Sequence, residues 1–343
     1  MAKAQLKTKP VKLALVGAET LLGRELEDVL KDRAKDALVS TFAASGAGNF
    51  GEQEGEAVYV QPLDAEAVRG FAAILVAGSP EGALKAYDLA KQAGSRLLVI
   101  DCTGHLENQP EARIVAPLAG ESITNGNWLV IIAHPAASAL SLVLKRLANY
   151  RPIRQAIAHV FEPASERGKR GVSELHQQTT SLLAFRSLDK NVFDAQLSFN
   201  LLSQYGEQAP EKLSHTEQRI ERDLATVLSH TEQTAAIPMP SLRLIQAPVF
   251  HGYSISLWIE FQADIAAPQI GEALASAQIE VRGQQEEAPN SVGVASQSGL
   301  IAGDVRIDPN NPRAAWLWIV GDNLRLTADA AADLVSALRS DEA

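Results

Sequence analysis

Short apolar runs alternate with helical repeats along the first part of the chain. Residues 11–16 form an apolar run that ends at Gly17, and leucine and valine side chains then recur every three or four residues within 21–30. The first pattern predicts a buried strand and the second an amphipathic helix. Because such units repeat, we expect a parallel sheet with right-handed crossover connections. The further elements predicted here are strands at 39–44, 73–78 and 96–101 and a helix at 81–93.

The most informative pattern in the chain lies between Val130 and Leu140. Its apolar run ends at Pro135, and small residues then lead into a helical pattern at 140–148. This order predicts a strand, a tight turn and a helix N-terminus, the place where α/β enzymes expose a nucleophile to amide donors and to the positive helix end. The residue at that place is Ala137.

Longer runs with partial alternation follow, and they predict a mixed sheet with helices on one face, a common dimer-forming arrangement. The predicted strands are 155–161, 244–250, 254–261 and 316–320, and the predicted helices are 171–183, 216–228 and 327–338. The fold class is therefore α/β, with a Rossmann-type parallel-sheet domain plus an α+β mixed-sheet dimerisation domain. We expect the dinucleotide-binding domain at 1–133, completed by the C-terminal helix in 323–343, and the substrate and dimerisation domain at 134–322.

Composition narrows the classes of function. The chain has a formal net charge of −10 with acids and bases interspersed, which argues against a nucleic acid or an anionic membrane as partner. No apolar run reaches the roughly 18 residues that span a bilayer. Residues 1–10 lack the apolar core of a signal peptide, and Cys102 is the single cysteine, so an internal disulfide is excluded. A cytoplasmic protein is expected.

The turn after the first strand has the spacing of a phosphate-binding loop. Glycines in such a loop let the backbone approach a pyrophosphate at the helix N-terminus. Gly17 and Gly23 are present, but Thr20 replaces the middle glycine and the carboxylate of Glu19 lies beside it. The turn is thus either a working phosphate loop or a βα turn kept for folding. After the second strand, the segment at 45–49 has no Arg or Lys to pair a 2′-phosphate.

Several side chains offer alternative chemistry, each with a structural explanation that we favour. Ser138 could be a nucleophile, but a serine there more often caps the helix. His134 could approach Ser138, but a hydrogen bond to a loop carbonyl is favoured. Cys102 could be a displaced thiol, but free cysteines are usually buried. The histidines at 159, 176 and 251 show no metal-ligand spacing with carboxylates, so no metal is expected.

Taken in order, these pieces resemble the aspartate-β-semialdehyde dehydrogenase family over nearly the whole length. The segments that carry the resemblance are the glycine turn, 77–78, 115–117, the central turn, 168–175, 199–200, 248–252 and 321–325. The resemblance implies reductive dephosphorylation of aspartyl phosphate by NADPH in amino-acid biosynthesis. In this chemistry a cysteine thiolate attacks the acyl phosphate, a histidine handles its proton, and arginines bind the substrate.

The family's reactive positions are altered in this chain. The resemblance puts the nucleophile's position at Ala137 and the base's at Tyr253, and the substrate-carboxylate arginine aligns with Gln246. The phosphate-binding arginine falls on Glu107 and the active-site glutamine on Glu162. A methyl group cannot form a thioester, and a phenol with an ordinary pKa near 10 is a poor base at neutral pH. The two glutamates would repel a doubly anionic substrate.

The resemblance also implies NADP or NAD as a cofactor, weakened by these changes, and a homodimer. Contacts with the cofactor are predicted at Gly17, Thr20, Leu21, Leu22, Gly23, Ser45, Gly78, Ser165 and Asn323. In the segment that faces the nicotinamide in the family, bulky Glu166 and Arg167 replace small residues. Either the pocket is filled, or a small anionic ligand is bound by Arg167, Lys169 and Arg170. A charge run of this kind is usually solvated, and we favour that explanation.

Two functional hypotheses follow. The leading one is a pseudoenzyme, a paralogue without the parent activity that retains partial nucleotide binding and dimerises, alone or with a true dehydrogenase. The second is an active NAD(P)-dependent oxidoreductase acting on an altered aldehyde or acyl substrate. In it Tyr253, with its pKa lowered by Lys169 or Arg170, donates a proton during hydride transfer.

Overall fold

In a computed structural model of the protein, the described residues are 11–43, 45, 49–53, 56–94, 97–122, 126–230 and 236–340. The chain divides into two compact units. The first comprises Met1–Arg113, Ser122–Ile132 and Ala328–Ala343, and the second comprises Ile114–Glu121 and Ala133–Thr327. Residues 114–121 and 323–327 therefore fold with the second unit, although the sequence assigned them to the first domain.

The first unit is built on a parallel sheet, as predicted. Its elements are β1 (Lys12–Val16), α1 (Leu21–Arg33), β2 (Leu38–Phe42), β3 (Asn49–Gln53), β4 (Glu56–Val60), β5 (Ala73–Val76), α2 (Pro80–Gln92), β6 (Leu98–Asp101) and β8 (Leu129–Ile132), while β7 (Arg113–Val115) begins in this unit and continues into the second. The order in the six-stranded sheet is β2-β1-β5-β6-β8-β7. Every residue of β5, β6 and β8 is buried, which explains why these strands appear in the sequence as continuous apolar runs.

Two features of the first unit differ from the sequence prediction. Strands β3 and β4 pair as an antiparallel hairpin that was not predicted, since Gly51, Glu52 and Gln53 interrupt the apolar alternation. Strand β5 ends at Val76 rather than at residue 78, because Ser79 already caps α2 and Pro80 occupies its first position. The predicted strand residues Ala44 and Arg96 lie outside the described residues.

The second unit contains the predicted mixed sheet. Its elements are α3 (Pro135–Tyr150), β9 (Ile153–Glu162), α4 (Gly168–Leu183), α5 (Leu213–Ser229), β10 (Ser241–Gln246), β11 (Tyr253–Phe261), α6 (Ala267–Leu274), β12 (Ile279–Val281), β13 (Leu300–Asp308), β14 (Asn311–Gly321) and α7 (Asn323–Ser340), of which α7 continues into the first unit. The sheet order is β10-β9-β11-β14-β13-β12, with β10–β9 and β12–β13 parallel and the other pairs antiparallel.

One face of this second sheet carries the helices. Helix α3 packs against α5 and α6, and these helices contact β9, β10 and β13. Alternate residues of β9 are buried, whereas Ile157 between them and Trp316 on β14 are about two-fifths exposed (40% and 38%). The apolar core lies on the helix side and the opposite face is more open. Among the described residues, no helix is both long and apolar enough to cross a membrane.

Candidate functional site

Helix α3 begins at the predicted central turn. Strand β8 ends at Ile132, and Pro135 occupies the first position of α3, where a missing N–H leaves no donor unpaired. His134 caps this end, since its Nδ1 accepts a hydrogen bond from the backbone N–H of Ala136 at 3.2 Å. Ala137 lies in the first turn and is fully buried, so its methyl group faces protein rather than solvent.

The predicted role of Ser138 is wrong. The cap is His134, four residues earlier, because alanine is the best helix former and the run of small residues extends the helix back to Pro135. The Ser138 hydroxyl instead donates to the backbone oxygen of Ala133 at 3.3 Å. The expectation that His134 binds a loop carbonyl is wrong as well, because its Nδ1 accepts from an amide of its own helix.

A buried acid holds the backbone just before α3. Asp223 on α5 is fully buried, and its Oδ2 accepts a hydrogen bond from the N–H of His134 at 2.8 Å. The Nε atom of Arg219, one turn earlier on α5, lies 3.7 Å from the same oxygen. The turn is thus anchored by a carboxylate that is far away in sequence.

His134, Glu166 and Tyr253 meet at the N-terminus of α3. With Nδ1 accepting, the ring proton is assigned to Nε2, which lies 3.3 Å from Glu166 Oε1 and 3.3 Å from Tyr253 Oη. The Nε2–H group therefore donates to the Glu166 carboxylate. Burial alone would raise the pKa of Glu166, but this hydrogen bond and the charges of Arg167 and Arg219 lower it to about 2. Glu166 is an anion at neutral pH.

Tyr253, which the sequence comparison above predicts at the position of the base, is almost completely buried. Burial raises the pKa of its phenol well above 10, and the charges of Glu166 and Glu162 raise it further. Lys169 and Arg170 are exposed at the start of α4. The hypothesis that one of them lowers the pKa of Tyr253 is therefore wrong, because burial and two carboxylates raise this pKa and the cation that opposes them is Arg167.

Arg167 is held by protein groups. Its guanidinium donates to Glu162 Oε1 at 2.8 Å, to Thr216 Oγ1 at 2.6 Å, to Glu211 Oε2 at 2.6 Å and to the Tyr205 hydroxyl at 3.2 Å. The side chain is only 9% exposed. The expectation of a solvated charge run is thus wrong for Glu166 and Arg167, since both are drawn into an internal polar network.

Gln246, the residue predicted at the carboxylate-binding position, belongs to the same network. Gln246, at the end of β10, is fully buried; its Oε1 accepts from the Tyr205 hydroxyl at 2.5 Å and its Nε2 donates to the backbone oxygen of Glu162 at 2.8 Å. Glu162, at the family's glutamine position, is also fully buried. Burial raises the pKa of Glu162 to about 7, with the Arg167 charge opposing and the Glu166 charge assisting.

Two predicted cofactor contacts of the second unit lie together. The Ser165 hydroxyl donates to Asn323 Oδ1 at 3.1 Å, and the backbone N–H of Gly252 reaches the same oxygen at 3.3 Å. The amide group of Asn323 donates to Glu166 Oε2 at 3.1 Å. These residues therefore join the segment after β9, the start of β11 and the start of α7 into one buried cluster around the Glu166 carboxylate.

The glycine turn of the first unit is tightly packed. Gly17 has φ +93°, and a Cβ on it would lie 2.7 Å from the backbone of Gly78. A Cβ on Gly23 would lie 1.9 Å from the carbonyl oxygen of Gly17. The packing of the turn therefore requires glycine at both positions, whether or not a nucleotide binds. Leu21 and Leu22 open α1, next to these glycines.

Hydrogen bonds that involve Thr20 already use some of the backbone N–H donors of this turn. The Thr20 hydroxyl donates to the Gly17 oxygen at 2.8 Å and accepts from the N–H of Gly23 at 2.9 Å. Its backbone N–H donates to the Gly17 oxygen at 3.0 Å. Two amides at the N-terminus of α1 are therefore already used within the protein.

The other predicted residues of the first unit follow β2 and β6 in the chain. Cys102 follows β6 and is buried, and burial together with Asp101 raises the pKa of its thiol well above 9. A thiol in this state is a weak nucleophile at neutral pH. Glu107, at the family's phosphate-arginine position, is half-buried in the loop that Asp101 organises by accepting backbone N–H groups. Ser45 is half-buried, and residues 46–48 lie outside the described residues.

The histidines show no shared centre. His159 lies in β9, His176 in α4, and His251 just before β11. In the part of the chain that the structure describes, no group of three or more His, Cys, Asp or Glu side chains is arranged to hold a metal ion.

Sequence reasoning missed Tyr205, Glu211, Thr216 and Asp223. The first three come from the loop before α5 and from its first turn, which carry no motif. Asp223 had a signal, because it lies on the buried stripe of α5 that Ile220, Leu224 and Val227 define. An acid on an apolar stripe must be paired inside the fold.

The comparisons with known proteins agree with this fold. The family model described as "Semialdehyde dehydrogenase, dimerisation domain" matches residues 144–326. A USG-1 protein homolog from Pseudomonas aeruginosa is 30% identical over 96% of this chain and 98% of its own length. An aspartate-semialdehyde dehydrogenase from Rickettsia bellii is 28% identical over 93% of this chain and 94% of its own length. A solved structure of a probable aspartate-semialdehyde dehydrogenase from Pseudomonas aeruginosa superposes with a TM-score of 0.80 at 28% identity, and the match covers 96% of this chain and 98% of that one. The chain therefore belongs to the aspartate-semialdehyde dehydrogenase family.

Proposed function

We propose that this protein is a pseudoenzyme of its family, unable to reduce an acyl phosphate through a covalent thioester. Ala137 carries the proposal: it stands at the nucleophile's position, in the first turn of α3, with its methyl group fully buried. A thioester needs a sulfur whose lone pair can attack a carbonyl carbon. The methyl group has no lone pair, and the neighbouring Ser138 has no sulfur and donates its hydroxyl proton to the backbone oxygen of Ala133 rather than to a general base.

The proton chemistry of the site supports the same proposal. Tyr253 stands at the base's position with a pKa raised by burial, so it holds its proton at neutral pH. His134 lies beside it, but its Nε2–H group donates to Glu166 and its Nδ1 accepts from Ala136. No step of thiol deprotonation can run through these groups as they are arranged.

Charge at the site also disfavours the parent substrate. Glu166 is an anion at neutral pH, and Glu162, which is buried nearby with a pKa of about 7, adds a part of a negative charge next to Arg167. Gln246, at the carboxylate-binding position, uses its amide group on Glu162 and Ala247. A doubly anionic acyl phosphate would meet repulsion without the guanidinium that the family uses to bind it.

We further propose that nucleotide binding is retained in weakened form by the predicted dinucleotide-binding domain, residues 1–133 completed by 323–343, with NADP or NAD as ligand. Gly17 and Gly23 keep the close backbone approach that a dinucleotide needs, while Thr20 occupies amides that would bind the pyrophosphate. The second domain, 134–322, would form a homodimer, in keeping with the dimerisation model that it matches. A cytoplasmic location is part of the same proposal.

The test is the parent assay with aspartate semialdehyde, inorganic phosphate and NADP, followed by NADPH absorbance. We expect no turnover above the rate without protein. Turnover that thiol alkylation and the Cys102→Ser substitution both abolish would reject the proposal and identify Cys102 as nucleophile. The Ala137→Cys variant restores the thiol alone. It should also stay inactive, because Tyr253 and Gln246 still replace the base and the arginine.

A further inference from the structure

The guanidinium of Arg167 is bound on two sides that differ in burial. On the inner side, Nη2 donates to Glu162 at 2.8 Å and to Thr216 at 2.6 Å, and Nε donates to the Tyr205 hydroxyl at 3.2 Å. The central carbon of the guanidinium also lies 5.5 Å from the centre of the Tyr205 ring, within the range of a cation–π contact. These contacts fix the plane of the guanidinium.

On the outer side, the partner of the guanidinium among the described residues is the exposed side chain of Glu211. Nη1 donates to Glu211 Oε2 at 2.6 Å, and the Glu211 side chain is 67% exposed, whereas Glu162 is completely buried. An ion pair with an exposed partner contributes little to stability, because water competes for the charge of the exposed carboxylate. The Glu211 carboxylate can therefore leave Nη1 at small cost, while the inner contacts keep Arg167 in place.

We propose that Arg167 is a carboxylate-binding site in which Glu211 is an exchangeable internal ligand that a small free carboxylate replaces. This inference rests on the proposed function, since it names a ligand class for a site that no longer serves the parent reaction. The distance between Arg167 Nη1 and Glu211 Oε2 is already that of a good charge-assisted hydrogen bond. A free carboxylate can take the place of the Glu211 carboxylate while Glu211 turns to solvent. One negative charge is then still paired with Nη1, as before.

The surrounding charges favour a carboxylate over a phosphate. Glu162 and Glu166 lie close to Arg167, and both interact with it electrostatically. A phosphate carries more negative charge than a single carboxylate group at neutral pH. Succinate carries its two charges on separate carboxylates, so only one of them has to lie near the two glutamates, whereas the charge of phosphate is concentrated on one group. We therefore expect inorganic phosphate to bind more weakly than a dicarboxylate such as succinate.

Glu211 also sets the apparent affinity. A carboxylate attached through a short loop competes with an effective concentration in the millimolar range. Removing its charge should therefore strengthen the binding of a free carboxylate about five-fold or more. Tighter binding after this substitution would show that Glu211 is an exchangeable ligand. If the Arg167–Glu211 ion pair were only structural, its loss would not strengthen the binding of a free carboxylate.

The experiment measures succinate binding to the full chain by ligand-observed NMR at constant ionic strength, with inorganic phosphate as the second probe. We expect Glu211→Gln to bind succinate about five-fold or more tightly than the wild type. Glu207→Gln, an exposed glutamate of the same loop, is the matched control and should bind like the wild type. Arg167→Lys should lose succinate binding, because a single ammonium cannot replace the fixed guanidinium.

Unchanged succinate binding in Glu211→Gln would overturn the inference, as would phosphate binding more tightly than succinate. Because Glu211 is exposed, its substitution tests the inference even where Arg167→Lys lowers stability. The outcome is independent of the parent assay: turnover there would reject the pseudoenzyme proposal without changing the competition between Glu211 and succinate, and the reverse also holds.

Discussion

The guanidinium of Arg167 and the carboxylate of Glu162 form an ion pair 2.8 Å apart, in which only one carboxylate oxygen is satisfied. Oε1 accepts from Arg167 and lies 3.1 Å from the Tyr205 hydroxyl, but Oε2 is buried with no hydrogen-bond partner among the described residues. Burial therefore raises the pKa of Glu162 to about 7 in spite of the neighbouring cation. A half-satisfied buried carboxylate lowers stability when it is ionised.

Glu162→Gln should change how stability depends on pH. The ordinary pKa of 4.5 applies in the unfolded chain, so between pH 4.5 and about 7 the folded chain binds more protons and its free energy of unfolding falls as the pH rises. The substitution removes this titration and keeps an oxygen for Arg167. We expect the variant to be about 1–3 kcal/mol more stable than the wild type at pH 8 and nearly equal to it at pH 5.

Urea unfolding at several pH values between 5 and 8, followed by tryptophan fluorescence, checks this expectation. Glu166 does not disturb the comparison, because its pKa of about 2 means that its contribution is lost only as the pH falls below 4.5. Glu207→Gln, at an exposed position, should follow the wild type throughout. A Glu162→Gln variant whose stability declines with pH as steeply as the wild type would contradict the explanation.

Much of the fold was predictable because local patterns decided it. Strands β5, β6 and β8 are buried throughout, so their apolar runs stand out in the sequence. The basis of the pseudoenzyme proposal was also visible in the sequence, since it depends on a single position, Ala137, whose methyl group cannot attack a carbonyl. These features need no knowledge of which distant residues meet.

The polar network of the second unit could not be predicted in the same way. Tyr205 and Glu211 come from an irregular loop, and their contacts with Arg167 depend on how that loop packs. Tyr253 shows the same limit, because its pKa depends on whether carboxylates or cations surround it in the fold. Sequence spacing put Lys169 and Arg170 forward, but the helix directs both to solvent.

Gly23→Ala should strongly destabilise the protein. The added Cβ would lie 1.9 Å from the carbonyl oxygen of Gly17, a backbone atom that cannot move without shifting the turn. We expect a loss of at least about 2 kcal/mol in the free energy of unfolding, as in overpacked cores. Thermal unfolding followed by circular dichroism measures it.

Gly283→Ala is the control for this substitution. Its Cβ would meet nothing closer than 3.5 Å, the side-chain oxygen of Glu286, and the backbone there does not need a positive φ. It should therefore unfold within about 0.5 kcal/mol of the wild type. Equal melting of Gly23→Ala and Gly283→Ala would show that the turn relaxes more easily than its packing indicates.

Thr20→Gly should strengthen binding of NADPH. The substitution removes a β-carbon from the phosphate loop and frees the N–H of Gly23, which the Thr20 hydroxyl now occupies at 2.9 Å. Glycine is nearly as good a cap as threonine, so stability should fall by only a few tenths of a kcal/mol. We expect about a ten-fold gain in affinity, equivalent to one restored charged hydrogen bond.

Fluorescence titration with NADPH measures this affinity, and Thr20→Ala separates its two causes. The alanine variant frees the Gly23 N–H but keeps the β-carbon, so it should gain less affinity and lose about 1 kcal/mol of stability with its cap. If Thr20→Gly binds NADPH no better than the wild type, the glycine turn serves only to pack α1 against the sheet.

Asp223→Ala should destabilise the start of α3. The N–H of His134 donates to Asp223 Oδ2 at 2.8 Å, and both residues are buried, so the substitution leaves a buried backbone donor unpaired. Such a group costs about 1–3 kcal/mol, which chemical denaturation can resolve. Asp223→Asn keeps an oxygen for His134 and should lose less than half as much, while Glu221→Ala, exposed on the same helix, should change stability by under about 0.5 kcal/mol. Equal losses in the alanine and asparagine variants would mean that the negative charge of Asp223, rather than its hydrogen bond to His134, stabilises this turn.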